Sequence, residues 1–321
     1  MEKPIVERTH IRLGMIGASP GNGHPYSWSA IFNGYNPEKM ATQCPYPGIA
    51  DYLAKEPVDT LVIPNAEVTH ICCTGNGDFT AAQVAECTNI AHVVDNPEEL
   101  IGRVDAVIIA TDIAGEHVQR VMPFIAAGVP VFVDKPMVDT MDDLRTFNAW
   151  VSQGKAILSS SSARYVKEFL PYHESTNNLG TLGFLSITMS KTWETYAIHA
   201  LEAVYPILGP GFVACRSTGN SDRCVAHYTH KCGAEMIVLL RDDLVGGAGL
   251  LTIAGSKGGD QVRAMDALYS FKKQLGAFVR YLRTGVRPFP YAETEELMRM
   301  LIAGTQSRES GGHEVVLSDM T

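Results

Sequence analysis

Residues 129–138 read Val-Pro-Val-Phe-Val-Asp-Lys-Pro-Met-Val, a short apolar strand that ends on Asp134-Lys135-Pro136. In α/β proteins ligands bind in the crevice outside the carboxyl ends of the strands. A lysine placed there offers an ammonium to a substrate or cofactor. Pro136 fixes its own φ and biases Lys135 toward extended backbone, which gives that ammonium a defined direction. The bland alternative is a surface lysine at a strand end. A second feature lies near the N-terminus, where Ile11–Gly17 forms an apolar strand entering the turn Ala18-Ser19-Pro20-Gly21-Asn22-Gly23-His24. Strand, glycine turn and helix make a corner where backbone N–H groups and the helix dipole receive a pyrophosphate. Counting G-x-G-x-x-G from Gly17 puts Ser19 at the second glycine and Asn22 at the third, with Gly21 and Gly23 restoring flexibility in a longer loop. A merely structural glycine turn is the alternative.

Such a corner calls for an acid at the end of the second strand to hold a ribose hydroxyl. That strand is delayed here by a segment at about 36–65 rich in Pro and Tyr, and its end reads Cys73-Thr74-Gly75-Asn76-Gly77-Asp78. Neither a carboxylate nor an arginine stands at Thr74–Asn76, so the choice between NAD and NADP is open. A further cluster, Cys224, His227, His230 and Cys232, has ligand types that suit zinc. It lies on an alternating stretch in which His227 points away from the other three, and no metal is assigned.

These residues need elements to place them. Expected strands are 11–17, 66–75, 92–95, 104–111, 129–135 and 156–162, alternating with helices at 26–35, 78–88, 117–127 and 140–153. Asn96-Pro97-Glu98-Glu99-Leu100 reads as a capped helix start. Alternation implies parallel pairing with right-handed crossovers, a doubly wound sheet. After residue 162 the pattern changes. Strands are expected at 182–190, 212–218, 224–231, 234–240 and 246–253, with helices at 195–208, 263–284 and 292–306. That is an antiparallel sheet with one helical face. The fold class is therefore α/β. Residues 1–160 form the doubly wound domain, and 161–321 form the α+β domain.

The length of 321 residues suits two domains, and 45% hydrophobic content suits a globular chain. A formal charge of −9 with no basic run argues against nucleic acid. No apolar stretch approaches the roughly 20 residues of a membrane span. The start, Met1–Arg8, has no apolar secretory core, so the expected compartment is cytoplasmic. Seven scattered cysteines do not form a disulfide framework.

The chain resembles the Gfo/Idh/MocA oxidoreductase family over nearly its whole length. Four stretches carry the likeness: Arg12-Leu13-Gly14-Met15-Ile16-Gly17; Val104–Asp112 followed by Glu116-His117; Val133-Asp134-Lys135-Pro136, similar to the family's Glu-Lys-Pro; and Ile198-His199-Ala200-Leu201-Glu202, similar to its Ile-His-Asp-x-Asp. The resemblance implies a Rossmann domain followed by an α+β domain with an open sheet. It implies a dehydrogenase that passes a hydride between NAD or NADP and a secondary hydroxyl or ketone of a sugar, cyclitol or related polyol. Lys135 and His199 are the implied catalytic pair. Gly17, Ala18, Ser19, Gly23, Thr74, Thr111, Asp112, His117, Asp134 and Lys135 would bind the cofactor. Arg164, Trp193, Tyr196 and Glu202 would line the substrate. Thr195 and Ala200 stand where the family carries aspartates. A non-catalytic dinucleotide-sensing or partner-binding protein on the same fold is the alternative, and elimination through a transient ketone a third. The expected assembly is a homodimer or homotetramer through the C-terminal sheet.

Overall fold

The computed structural model describes residues 8–75 and 77–320, so Asn76 and the stretch 1–7 read above lie outside it. The chain divides into two compact units, which are described separately.

The first comprises residues up to 137, then 146–159 and 271–288. Its six strands are β1 Ile11–Ile16, β2 Ala66–Cys72, β3 His92–Val93, β4 Ala106–Ile109, β5 Val131–Val133 and β6 Ile157–Ser159, ordered β3-β2-β1-β4-β5-β6. Every pairing is parallel, as the alternation of strand and helix requires. β4, β5 and β6 are buried at every position, which explains their unbroken apolar runs. The order reverses at β1, so the ends of β1 and β4 flank the topological switch point.

The helix after the glycine turn, α1, runs His24–Asn33, with Pro25 in its first turn. The delaying segment folds into three short helices, α2 Pro37–Gln43, α3 Pro47–Leu53 and α4 Val58–Leu61. Two of them open on a proline, and Asn36 caps α2 by accepting the Lys39 N–H at 3.0 Å. α5, Ala81–Thr88, starts with a reciprocal Thr80/Gln83 capping box. Gly128, at φ 74°, closes α6, His117–Ala127. The expected helix start at Asn96 is a single 3-10 turn, Pro97–Leu100. α7 spans Met141–Ser152.

The second unit comprises residues 138–145, 160–270 and 289–321. It holds α8 Leu170–Glu174, β7 Leu182–Ser190, α9 Trp193–Leu208, β8 Phe212–Gly219, β9 Arg223–His230, β10 Glu235–Arg241, β11 Leu250–Gly255 and β12 Gly258–Arg263. α10, Ala267–Thr284, α11, Tyr291–Glu309, and the two-residue β13, Val315–Val316, finish the chain, with α10 from Phe271 onward belonging to the first unit. The sheet runs β12-β11-β7-β10-β9-β8-β13. It is mixed rather than wholly antiparallel, because β7 pairs with β10 in parallel. β12 gave no sequence signal. It is an edge strand of mostly exposed polar and glycine residues with no apolar alternation. One face of the sheet buries Leu185, Ile187, Met236, Val238, Leu240, Ala226 and Tyr228 beneath α9 and α11. The other face leaves Phe184, Val213 and Val225 exposed.

Candidate active site

In the first unit, β1 ends in a turn that only glycine fits. Gly17 sits at φ 103°, and a Cβ there would lie 2.4 Å from Thr111 Cγ2. Its N–H donates to Cys72 O at 2.8 Å, tying the turn to the end of β2. Ala18 is buried. Ser19 Oγ donates to Asp112 Oδ1 at 2.5 Å, and Asp112 Oδ2 lies 3.7 Å from Lys135 Nζ. The glycine turn, the end of β4 and the end of β5 thus converge through three side chains far apart in sequence. The Lys135 side chain is only 5% exposed, so it is no ordinary surface lysine. The Lys135–Pro136 peptide is cis.

Asp134 is a buried support for that lysine. Its carboxylate accepts the Lys135 N–H at 2.7 Å, faces His24 Nδ1 at 2.5 Å and accepts from Asn22 Nδ2 at 3.3 Å. Burial alone would raise its pKa. The His24 ring and then the Lys135 charge overcome that and hold it below the ordinary aspartate value. His24 and Asn22, both in the glycine turn, therefore reach Asp134 rather than solvent.

Several expected residues have other roles. His117 is fully buried, and its two ring nitrogens lie 2.9 Å from Thr111 O and 3.0 Å from Met137 O. It braces the end of β4 against the chain just past Pro136 and offers no atom to a cofactor. Gly23 is kept bare by packing: a Cβ would meet Ile49 Cδ1 at 2.4 Å and Tyr46 Cδ2 at 2.7 Å, both from α3 or its cap. Thr74 accepts from Arg120 Nη1 at 2.8 Å through its hydroxyl and from Nη2 at 3.2 Å through its carbonyl. An arginine therefore does reach the end of β2, delivered by α6 and partly neutralised by Glu116, 2.7 Å away. An acid reaches the same corner: Asp78 accepts the Gly21 N–H at 2.9 Å. Asp78 stood in the stretch read above but beyond the tripeptide where the acid was sought, and Arg120 comes from a distant helix.

These residues fit a dinucleotide. The buried Thr111 hydroxyl beside Gly17 has no hydrogen-bond partner, an unspent polar group at the phosphate-binding corner.

In the second unit, His199 lies on α9, with Nδ1 2.6 Å from Ser161 Oγ and its ring edge-on to Tyr196 at 4.7 Å. Lys191 Nζ sits over the Tyr196 ring at 4.5 Å. Glu202 is buried, with Oε1 accepting the Ser161 N–H at 3.2 Å and Oε2 accepting Arg164 Nε at 2.5 Å. Burial pushes its pKa up, against the pull of Arg164. Both oxygens are committed to this chain, which corrects the expectation of a substrate ligand. Arg164 is likewise engaged, by Glu202, by Glu293 at 2.8 Å, and by the Phe289 ring 4.0 Å beneath it. Trp193 is fully buried, its indole N–H donates to Thr305 Oγ1 at 3.1 Å, and Gly304 is bare because a Cβ there would lie 2.1 Å from the indole. It is a core residue with no face for a sugar ring. Of the expected substrate residues, Tyr196 alone is partly exposed. Ser161 was missed; its only local hint was the serine run that follows β6.

Cys224 and His230 share the buried side of β9 and His227 faces the other. Among the described residues no group of three or more His, Cys, Asp or Glu could hold a metal, and no helix is long and apolar enough to cross a membrane.

The parallel sheet, the glycine turn at its switch point and the mixed sheet that follows define a Rossmann dinucleotide-binding fold joined to an α+β domain. Residues 51–161 match the model of the oxidoreductase family GFO_IDH_MocA, described as having an NAD-binding Rossmann fold. The chain is thus similar to the Gfo/Idh/MocA oxidoreductases over this part of its Rossmann domain. An inositol 2-dehydrogenase of Gluconacetobacter diazotrophicus is 30% identical over 134 residues, 41% of this chain and 37% of that relative's length. Two solved structures share the fold over nearly their whole lengths. One is a probable dehydrogenase from Thermotoga maritima, with TM-score 0.73, 16% identity, and coverage of 97% of this chain and 100% of that one. The other is a myo-inositol dehydrogenase from Lactobacillus casei in complex with NAD(H) and myo-inositol, with TM-score 0.74, 14% identity, and coverage of 96% of each.

Proposed function

We propose that the protein is an NAD(P)-dependent oxidoreductase acting on a secondary hydroxyl or ketone of a cyclitol, with sugars and related polyols as the wider class. The observation that carries this is the buried ammonium of Lys135, joined through Asp112 to Ser19 of the glycine turn. A cation held there is placed to stabilise charge that develops beside it. The inositol 2-dehydrogenase likeness and the complex of the structural neighbour with NAD(H) and myo-inositol support the cyclitol assignment.

Ala18 and Ser19 would hold the pyrophosphate through main-chain N–H groups, with Gly17 setting the turn that presents them, and Thr111 and Asp112 would line the other side. A bound dinucleotide supplies the hydride acceptor. Lys135 would orient the reacting hydroxyl and stabilise the alkoxide as charge develops. His199 would take the hydroxyl proton, or return it in reduction. Asp134 and His117 would hold the loop that carries Lys135.

We also infer a homodimer or homotetramer built on the open face of the second unit's sheet, where Phe184, Val213 and Val225 are exposed. A cytoplasmic location agrees with seven cysteines that are all free thiols.

The test is a fluorescence titration with NADH and NADPH, followed by turnover on a panel containing myo-inositol, scyllo-inositol and open-chain polyols. Saturable cofactor binding with cyclitol turnover is expected. Binding without turnover of any polyol or ketone would favour a sensor, and no binding would remove the reading altogether.

A further inference from the structure

The glycine turn after β1 sends two side chains to the carboxylate that precedes Lys135. Asn22 Nδ2 donates to Ala110 O at 3.1 Å and to Asp134 Oδ2 at 3.3 Å, while Asn22 Oδ1 accepts the His24 N–H at 2.9 Å. The turn is thus clamped between the ends of β4 and β5. His24 Nδ1 lies 2.5 Å from the same Asp134 oxygen. Its ring stacks on Trp28 of α1 at 4.2 Å, with 12° between the planes, and Phe271 closes on it edge-first at 5.5 Å. Trp28 in turn meets Phe132 of β5 edge-on at 5.6 Å. The imidazole is therefore held by two rings and one carboxylate, and that carboxylate is fully buried.

We propose that His24 is a positioning residue for Lys135, acting through Asp134; the proposal rests on the reading of Lys135 given above. The two oxygens of the carboxylate have distinct tasks. Oδ1 accepts the main-chain N–H of Lys135 at 2.7 Å. Oδ2 takes His24 and Asn22. The Asp134 pKa is held below the ordinary value, so the carboxylate only accepts, and Nδ1 of His24 carries the proton between them. A hydrogen bond to an ionised acceptor is shorter and stronger than a neutral one. At 2.5 Å the histidine holds Oδ2 more closely than Asn22 does at 3.3 Å. Fixing Oδ2 fixes the carboxyl plane, because a rotation that released Oδ1 would also carry Oδ2 off the imidazole. The backbone from which the lysine side chain starts is thus set from the glycine turn. A histidine kept only for its stack on Trp28 is the competing reading.

The test separates the hydrogen bond from the stack. His24→Asn keeps a donor near the place of Nδ1 and drops the ring. His24→Phe keeps a ring on Trp28 and drops the donor. In His24→Phe, kcat on the best cyclitol should fall at least about tenfold, with KM and NADH affinity each within about threefold of wild type, and His24→Asn should recover most of the loss. In a Lys135→Met background, His24→Phe should cost less than about threefold more, since a residue that works through the lysine has nothing left to act on. Hydrogen exchange needs no substrate: the Lys135 amide should lose protection at least about tenfold in His24→Phe and keep most of it in His24→Asn. His24→Gln, whose amide lies one carbon further out, misplaces the donor and replaces His24→Phe if that protein does not fold. Wild-type kcat in His24→Phe overturns the proposal. So does an equal loss in His24→Asn, an additive cost in the double variant, or unchanged protection of the Lys135 amide. A wild type that turns over no polyol refutes the assigned reaction instead, and the exchange measurement still decides whether His24 holds the lysine's backbone.

Discussion

The carboxylate of Asp78 accepts the main-chain N–H of Gly21 at 2.9 Å, and the same oxygen accepts the Tyr46 hydroxyl at 2.9 Å. The loop after β2 is thereby fastened onto the glycine turn. Gly75 and Gly77 permit the approach, since a Cβ on either would lie within 2.6 Å of an Ala18 atom. These two hydrogen bonds hold the Asp78 pKa below the ordinary value, so the group is an anion at neutral pH. A fixed negative charge at this corner would accept hydrogen bonds from ribose hydroxyls and repel a 2′-phosphate.

The tripeptide Thr74–Asn76 pointed to little discrimination between cofactors; Asp78 shifts the expectation toward NAD. NADH should bind about five- to tenfold more tightly than NADPH, a modest ratio because the carboxylate is exposed and screened. Asp78→Asn should bring the two affinities together. Titrations at low and moderate salt would show this. An unchanged ratio in the variant would mean that Asp78 only fastens the loop.

Lys135 bears on the chemical step. Its ammonium lies 3.7 Å from Asp112 and is almost fully enclosed. Lys135→Met keeps the length of the side chain and removes the charge. If that charge acts on a developing alkoxide, turnover should fall by about a hundredfold or more while NADH affinity stays within about threefold. Stopped-flow hydride transfer alongside equilibrium binding separates the two effects. Loss of binding with normal turnover at saturation would reassign Lys135 to cofactor holding.

The parallel sheet was legible because its strands are buried on both faces and its helices carry local stop signals such as Gly128. Lys135 was legible because a strand and a proline frame it. What escaped was set by distant packing. β12 and β13 carry too little apolar pattern to register, and the parallel β7–β10 pair depends on a strand inserted out of chain order. Within the site, Asp78, Arg120 and Ser161 reach their partners across 57, 46 and 38 positions. No local spacing encodes such contacts. Trp193 and Glu202 looked available because sequence shows chemical type, not the Gly304 notch or the Arg164 fork that consume them.

Burial also gives a pH signature in the second unit. His173 is pushed down to about 4, first by burial and also by the nearby Arg164 charge, against a hydrogen bond to the Ala203 main chain. At high pH the ring is neutral whether folded or unfolded, and it contributes nothing to the pH dependence. As pH falls below about 6.5 the unfolded chain binds a proton that the folded one refuses until about 4. Stability should therefore drop across that window by on the order of 2 kcal/mol, after allowing for partial exposure. His173→Gln should flatten this part of the curve. Urea melts from pH 7 to pH 4 on both proteins measure the difference. Parallel curves would place the titration elsewhere.

The last expectation concerns assembly. On the open face of the mixed sheet, Val225 of β9 lies directly opposite Leu239 of β10, and Ile237 opposite His227. Val225 is 41% exposed, while the alternate residues Cys224 and Ala226 are buried on the other face. A change at Val225 therefore touches the open face and leaves the core intact. If this face joins two copies, Val225→Glu places two like charges in a dry interface and should dissociate the assembly at micromolar concentration. The fold should survive, because the residue has little to lose within its own chain. Light scattering should show a dimer or tetramer for wild type and a monomer for the variant, with matching circular dichroism. A wild-type monomer would refute the interface outright. A variant that keeps the wild-type mass would move the contact to another surface.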